Sequence, residues 1–579
     1  MNFKNTVFLL FRKYSFFRVL LYAFIIVFAL TVVSVATIKS KKIPVISSVI
    51  PPVGSPGDTM VIRGSNFGTT RGTNYVEIGG NRITAKGYSV WTDGLIQLTI
   101  PANVQDGLVV VVTQAGKSKP GFFANEAGIP VAVRRETRTT ETVISEITPA
   151  SGSCGTLLTI KGSDFGSNRG ESKVFFTANA EESSHSGALG SGQGELTADF
   201  DFSVISANGF DYEYWSDSEI RVRIPDGAAT GGIYVATEKG KSNSVNEEIK
   251  LTAGTKLYHS RKIYILQVNS DIDSIDTKKG TSLTLRVPRP LVISWQPMVS
   301  LTDCTPEPVI SDYKNTVIHQ IELHKATSKS EKIRFSHNYA VASYAIKTEI
   351  DEKFVRPYSQ TIKTQAFFKN TLAPDKLIQS DKNEVRQFAK KIITQNGKEE
   401  SNPYNQAKLI YDYLLENYKL RDSLRKSDAS PLDLLKSKKG DAYDFAIFYT
   451  TLLRSLEIPC EPIAGILVDS EMKTQAHWWT EFYIEGFGWV PVDVALGMGL
   501  PYKAFRPVEN CAEFYFGNLD SQHIAFSKGW NEIRQAISPN SKIVYRPKTY
   551  ALQSIWEESS EGKVNYSSLW NDPIVLGLY

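Results

Sequence analysis

One set of glycines occurs twice in this chain at fixed spacing. Gly54, Gly57, Gly64 and Gly68 return 98 residues later as Gly152, Gly155, Gly162 and Gly166. Trp91 and Pro101 return as Trp215 and Pro225 at an offset of 124, so the second copy carries 26 more residues between the two blocks. An internal repeat of this length means one structural unit used twice. The copies span 44–133 and 144–252. Within each, short alternating segments such as Thr59–Arg63, Ile96–Ile100, Val109–Thr113 and Ile220–Ile224 lie between Gly and Pro turns. That pattern predicts a β-sandwich. The glycines are expected to supply positive φ at turns. The G-S-[ND]-F-G core is not a phosphate loop, because neither the Lys nor the helix such a loop needs follows it. The surplus residues of the second copy include HSGALGSGQGEL and read as a surface loop.

The copies share an I-x-x-x-x-P-x-x-G start (Ile46 to Gly54, Ile144 to Gly152) and a G-x-x-F-G turn (Gly64 to Gly68, Gly162 to Gly166). In these they resemble IPT/TIG domains, immunoglobulin-like sandwiches of surface and secreted proteins. The resemblance implies spacers or partner-binding modules. A polar link, Arg134 to Thr142, joins them. Residues 253–365 are again rich in β-branched residues, as in Lys262–Val268, Ser282–Val287 and Thr316–Leu323, and read as a third β domain. His319 and His324 fall there on opposite faces of a strand and read as ordinary sheet residues.

A chain of 579 residues exceeds the ~250–300 at which a single core stops growing, so several domains are expected. Its 65 basic and 61 acidic residues give a net charge of +4, too balanced for a nucleic-acid partner. The four cysteines, Cys154, Cys304, Cys460 and Cys511, are scattered without a C-x-x-C pair, which argues against a zinc site. No metal or cofactor motif is present. If the chain is exported, Cys460 and Cys511 are the one pair that falls in a single domain and could bridge.

Val19 to Ile38 is a run of 20 residues without a charge. As a helix it spans about 30 Å, one hydrocarbon core. Lys4, Arg12, Lys13 and Arg18 precede it and no acidic residue does, which keeps 1–18 cytoplasmic and exports the rest. Ser34-Val35-Ala36 also fits a cleavage site. The length of the run favours an uncleaved signal anchor at 19–38, with the bulk of the chain extracytoplasmic at the cell envelope.

Past residue 365 the texture turns helical, over Asn383–Ile393 and Asn405–Tyr418. Another apolar stripe (Phe445, Phe448, Tyr449, Leu452, Leu456) follows Asp441 and Asp444, a capping pair that puts Ala442 in the first turn. Then His477 to Ile484 reads as a strand, Gly486 and Gly488 as a turn, and Trp489 to Asp493 as the returning strand. A three-residue loop at 485–487 pairs Trp479 with Asp493 and makes His477 its diagonal neighbour, ~7–8 Å away between Cα atoms. A carboxylate there can orient an imidazole.

These residues resemble the core of bacterial transglutaminase-like proteins, of papain-type fold. That family shows G-x-C-x-D-x-A, H-x-W-x-E and G-W-x-x-x-D. This chain has Gly440-x-Ala442-x-Asp444-x-Ala446, His477-x-Trp479-x-Glu481 and Gly488-Trp489-x-x-x-Asp493. Tyr515 to Phe526 resembles the tail of such domains, and the resemblance covers roughly 366–545. It implies His477 as base and Asp493 as its orienting carboxylate, with Tyr443, Trp479 and Trp489 as binding residues. The nucleophile position is Ala442, and a methyl group cannot attack. The domain is therefore expected to bind rather than to react, with a peptide or peptidoglycan stem as ligand. Two alternatives stand beside this. One is an active cysteine-type amidase, peptidase or transglutaminase in which Cys460 or Cys511 approaches His477. The other is a structural surface protein that binds partners through its IPT/TIG repeats. Residues 546–579 form a C-terminal extension with Trp556 and Trp570 as packing residues.

Overall fold

The structure is a computed structural model. It describes residues 23, 26–27, 42–51, 53–54, 56–101, 104, 107–125, 141–180, 200–277, 281–323, 332–421, 423–424, 430–535, 542–560 and 564–579. Ala23, Ile26 and Val27 are helical, but the rest of the apolar run at 19–38 lies outside the described residues. Among the described residues no helix is long and apolar enough to cross a membrane. His324, residues 134–140 of the link and the HSGALGSGQGEL stretch also fall outside them. The chain divides into two units, 1–129 with 535–539 and 130–534 with 540–579.

The first unit is a two-sheet sandwich. One sheet orders Val45–Ile50, Thr59–Ser65, Leu95–Thr99 and Tyr88–Trp91; the other is centred on Gly107–Thr113, between Gly121–Asn125 and Tyr75–Ile78. Met60, Ile62, Ile96, Leu98, Val109 and Val111 alternate inward and fill the core, as period-2 patterning requires. Trp91 Nε1 donates to the Phe67 carbonyl at 3.1 Å, tying a strand to the glycine turn.

The second unit repeats this sandwich with the same strand order, and Trp215 Nε1 donates to the Phe165 carbonyl at 3.2 Å. The repeated glycines do two jobs rather than the one expected of them. Gly57 (φ 98°), Gly68 (91°), Gly155 (85°) and Gly166 (89°) are left-handed turn residues. Gly64 and Gly162 are not. A Cβ there would stand 1.9 Å from the Val45 carbonyl oxygen and 2.0 Å from that of Val143, so glycine is required because two strands approach closely.

The third β domain is assembled from both ends of its stretch of chain. In one sheet the long strands Gly254–Asp276 and Lys332–Ile350 pair, with Met298–Thr305 on one side and the C-terminal strands Asn565–Trp570 and Ile574–Leu578 on the other. The facing sheet orders Ile310–Tyr313, Thr316–Leu323, Thr281–Pro288, Glu557–Ser559 and Lys542–Val544. Residues 546–579 therefore do not extend beyond the last domain. They return and complete the sandwich begun at 254, and Trp556 and Trp570 meet edge-on inside it at 5.0 Å.

The remaining domain packs the helices Asn383–Ile393, Pro403–Asn417 and Ala442–Ser455 against an antiparallel sheet. That sheet orders Gly488–Val492, Thr474–Ile484, Cys460–Val468 and His523–Lys528. Every residue of Ala442–Ser455 is buried, so this is the central helix. Its N-terminus carries the expected capping box, with Asp441 Oδ1 accepting from the Asp444 N–H at 2.9 Å and Asp444 Oδ2 from that of Asp441 at 3.2 Å. The two kinds of glycine respond differently to substitution. Gly57→Ala, with nothing within 4 Å of the new Cβ, is expected to cost about 1–2 kcal/mol of left-handed strain. Gly64→Ala should cost about 3 kcal/mol or more, because backbone must move. Denaturant unfolding of the two variants checks the order.

Candidate functional site

The hairpin forms in the expected register. Thr480 faces Val492 and Ile484 faces Gly488, which extends to Trp479 beside Asp493. His477 and Asp493 then meet through their side chains, His477 Nε2 to Asp493 Oδ2, at 2.5 Å. Asp493 is held on its other side as well. Its Oδ1 accepts the Leu496 N–H at 2.9 Å, capping the short helix Val494–Gly497, and its backbone N–H donates to the Tyr515 carbonyl at 2.9 Å. A carboxylate fixed by its own backbone and a helix cap has little freedom to leave the imidazole.

A second histidine joins them. His523 Nε2 lies 3.2 Å from the same Asp493 oxygen, and its Nδ1 lies 2.9 Å from Asp520 Oδ1. Asp520 Oδ2 accepts from the hydroxyls of Tyr502 (3.2 Å) and Tyr515 (3.0 Å). His477, Asp493 and His523 are all at most 1% exposed. Burial alone would push the His523 proton off, but Asp520 and Asp493 outweigh it and hold the pKa up at about 9. Burial likewise opposes charge on Asp493, yet His477 and His523 bring its carboxyl well below the usual range. His523 thus donates from both nitrogens to two carboxylates.

Asp493 accepts, so His477 donates from Nε2 and the lone pair of its base sits on Nδ1. That nitrogen is buried and has no hydrogen-bond partner. Trp479 lies against the His477 ring at 6.0 Å and 20° and meets His523 edge-on at 4.9 Å. With Nε1 also unpartnered and the ring fully buried, Trp479 is an apolar wall against both imidazoles, whose planes lie 59° apart.

Ala442 opens the central helix and is 6% exposed. It packs in an apolar cluster with Ile378, Ala446, Ala464, Trp478 and Leu552. Next to it, Tyr443 meets Trp478 edge-on at 5.6 Å. Lys548, from the returning C-terminal segment, binds Asp441 Oδ2 at 2.6 Å and reaches Asp444 Oδ1 at 3.5 Å. A cation at the helix start opposes the macrodipole, and the two carboxylates there neutralise it.

The other expected binding residue, Trp489, is elsewhere. It lines a cavity at the junction with the second sandwich, together with Asp211, Arg223, Glu481, Tyr483 and Lys528. The Lys528 ammonium sits 3.6 Å from the Trp489 ring centre and 2.6 Å from Glu481 Oε2. Glu481 also accepts from Trp295 Nε1 at 2.8 Å. The H-x-W-x-E motif thus divides: His477 belongs to the catalytic-type cluster and Glu481 to the junction.

Neither Cys460 nor Cys511 lies at the His477 cluster. Cys460 and Cys511 are both free, so the bridge considered for them does not form. Cys460 Sγ faces Thr450 Oγ1 at 3.6 Å, and burial pushes its thiol up to about 12. Cys511 Sγ faces the Val508 carbonyl at 3.8 Å. No sulfur is within hydrogen-bonding reach of His477 Nδ1. Sequence reasoning also assigned no role to Asp520 and His523. The one signal was their spacing, an acid three residues before a histidine at the start of an apolar strand. The ligand atoms of His477, Asp493 and His523 fall within 4.8 Å of one another. One shared oxygen at hydrogen-bond distance from both rings makes the cluster a proton-bonded chain rather than a metal cage.

A helix start, a histidine and an aspartate on neighbouring strands define the transglutaminase-like, papain-type class. A model of the Transglutaminase-like superfamily matches residues 386–494, and one of the IPT/TIG domain matches 44–125 and 142–186. The chain carries both kinds of domain. It is 26% identical over 172 residues to a protein of Haemophilus influenzae, covering 25% of this chain and 46% of that one. It is 34% identical over 82 residues to a cyclomaltodextrin glucanotransferase of Paenibacillus macerans, 14% of this chain and 11% of the enzyme. The chain thus spans less than half the length of either relative. Among solved structures, a protein from Cytophaga hutchinsonii assigned as a cysteine protease aligns at 17% identity and TM-score 0.35, over 56% of this chain and 93% of that one. The periplasmic domain of TgpA from Pseudomonas aeruginosa aligns at 12% identity and TM-score 0.22, over 42% and 88%.

The proton on His523 links the cluster to pH. Folded, it is kept up to about pH 9; unfolded, it is kept to about pH 6.5. The stability it contributes is complete below about pH 6.5 and is lost as pH rises through 9. The loss is on the order of 3 kcal/mol. Urea unfolding at pH 6 and pH 9 should show this fall, and His523→Gln should flatten it.

Proposed function

We propose that this protein is a membrane-tethered, extracytoplasmic binding or scaffolding protein whose transglutaminase-like domain performs no thiol chemistry. Residues 19–38 are the anchor, 1–18 stay in the cytoplasm, and the IPT/TIG domains follow the anchor in the chain and offer surface for a protein partner. The observation that carries this reading is Ala442 at the nucleophile position of a site whose base and orienting carboxylate are otherwise assembled. In such a site a cysteine at a helix N-terminus beside a histidine becomes a thiolate and attacks. Loss of a nucleophile of this kind costs on the order of 10⁶ in kcat.

The placement of Cys460 and Cys511 counts against a displaced nucleophile, since each sulfur is engaged elsewhere. The resemblance makes a peptide or a peptidoglycan stem the ligand class for such a domain. Ala442→Cys should therefore restore what the site lacks. The new thiol should be alkylated by iodoacetamide with a midpoint below the ~8.5 of free cysteine, and the variant should gain hydrolysis or amine transfer on glutamine-containing peptides. Adding His477→Ala should return both to baseline. Turnover by the unaltered chain that disappears in His477→Ala would refute the proposal.

A further inference from the structure

The third sandwich brings a thiol and two imidazoles together, away from the His477 cluster. Cys304 and His337 are cross-strand partners in one sheet, and His319 comes from Thr316–Leu323 of the facing sheet. His319 Nε2 lies 2.7 Å from His337 Nε2 and 3.9 Å from Cys304 Sγ, and the three atoms all fall within 4.8 Å of one another. Both histidines are buried, at 1% and 0% exposure, while Cys304 is half-buried at the edge. The nitrogen tautomers follow from the surroundings. His337 Nδ1 faces the Val268 carbonyl at 3.2 Å. A carbonyl can only accept, so Nδ1 carries the proton and the Nε2 lone pair points into the cluster. This is how a metal-ligating histidine is usually oriented from behind. A hydrogen bond between the two rings satisfies one contact but leaves His319 Nδ1 buried without a partner.

We propose that Cys304, His319 and His337 form a binding site for a borderline-soft divalent transition metal, of which zinc is the simplest case. The donor set is one sulfur and two imidazole nitrogens with no carboxylate, which suits zinc-class ions and not calcium or magnesium. The geometry needs little adjustment. Zinc–nitrogen bonds of ~2.05 Å at a tetrahedral angle hold two nitrogens about 3.3 Å apart, and a thiolate about 3.6 Å from each. The ring nitrogens must open from 2.7 Å by about 0.6 Å, and the sulfur must close on His319 Nε2 from 3.9 Å by about 0.3 Å and on the His337 nitrogen from within 4.8 Å. On binding, the Cys304 S–H bond breaks, a metal–sulfur bond forms and the proton leaves to solvent. The fourth position falls to water or to the Pro306 carbonyl, 3.5 Å from the sulfur. Such an ion would clip the two sheets together. The same sandwich supports the site domain, where Ser343 Oγ donates to the His523 carbonyl at 3.0 Å.

The test uses the full-length protein in detergent, stripped with a chelator and titrated with Zn²⁺, with Co²⁺ as the spectroscopic probe. One equivalent of zinc should bind and raise Tm, and Co²⁺ should give a thiolate-to-metal charge-transfer band. Cys304→Ser, at a half-buried edge position, should abolish the band and weaken zinc binding at least tenfold. His319→Gln should weaken it as well, and Cys511→Ser, at the other half-buried cysteine, should leave both signals intact. Absence of stoichiometric binding would overturn the proposal. So would unchanged affinity in Cys304→Ser, or loss of the charge-transfer band in Cys511→Ser, which would move the ligating thiol there.

Discussion

Asp493 is the point on which the site domain turns. One carboxylate oxygen is shared by two buried imidazoles, at 2.5 and 3.2 Å, while the other caps a helix. Removing one member of such a set leaves an uncompensated charge in a buried site, which costs several kcal/mol. The strand carrying His477, the strand carrying His523 and the turn after Val492 are thereby fixed to one another through a single group. The same contact sets the chemistry. It places the proton of His477 on Nε2 and leaves the Nδ1 lone pair without a partner.

The helix start that carries Ala442 is formed, capped and held by Lys548, and the proposed function turns on the methyl group in its first turn, where the family's motif has a cysteine. The domain around it is not isolated. Lys256 bonds Asp226 of the second sandwich at 2.7 Å and also reaches the Trp489 carbonyl. Tyr483 Oη donates to the Cys154 carbonyl at 3.3 Å, and Arg223 donates to Gln365 at 2.8 Å. These buried polar contacts dock the second IPT/TIG domain onto the transglutaminase-like domain, so that it is part of the site's support as well as a spacer.

Much of this was legible in the residues. The glycine offset fixed both sandwiches, because turns and close strand approaches tolerate little else. The H-x-W-x-E and G-W-x-x-x-D motifs fixed the hairpin, because a three-residue loop sets register. The rest depended on contacts distant in sequence. His523 opens a separate strand and Asp520 lies just before it, and nothing in the spacing pairs them with Asp493. Leu285 pairs with Glu557, 272 residues further along the chain, so the C-terminal residues read as an extension although they complete a sheet. His319, read as an ordinary strand residue, meets His337 and Cys304 only when two sheets stack. The two roles of the repeated glycines also look identical in one dimension and differ once the Val45 and Val143 carbonyl oxygens are seen to close on Gly64 and Gly162.

The central claim is that the site keeps its base and has lost its nucleophile. Intact-mass spectrometry of the unaltered protein, incubated with activated acyl esters and glutamine-containing peptides, tests it most directly. The account predicts an unchanged mass, because no thiol sits beside His477 to be acylated. A covalent acyl adduct on Cys460 or Cys511 that forms in the unaltered chain and disappears in His477→Ala would contradict it.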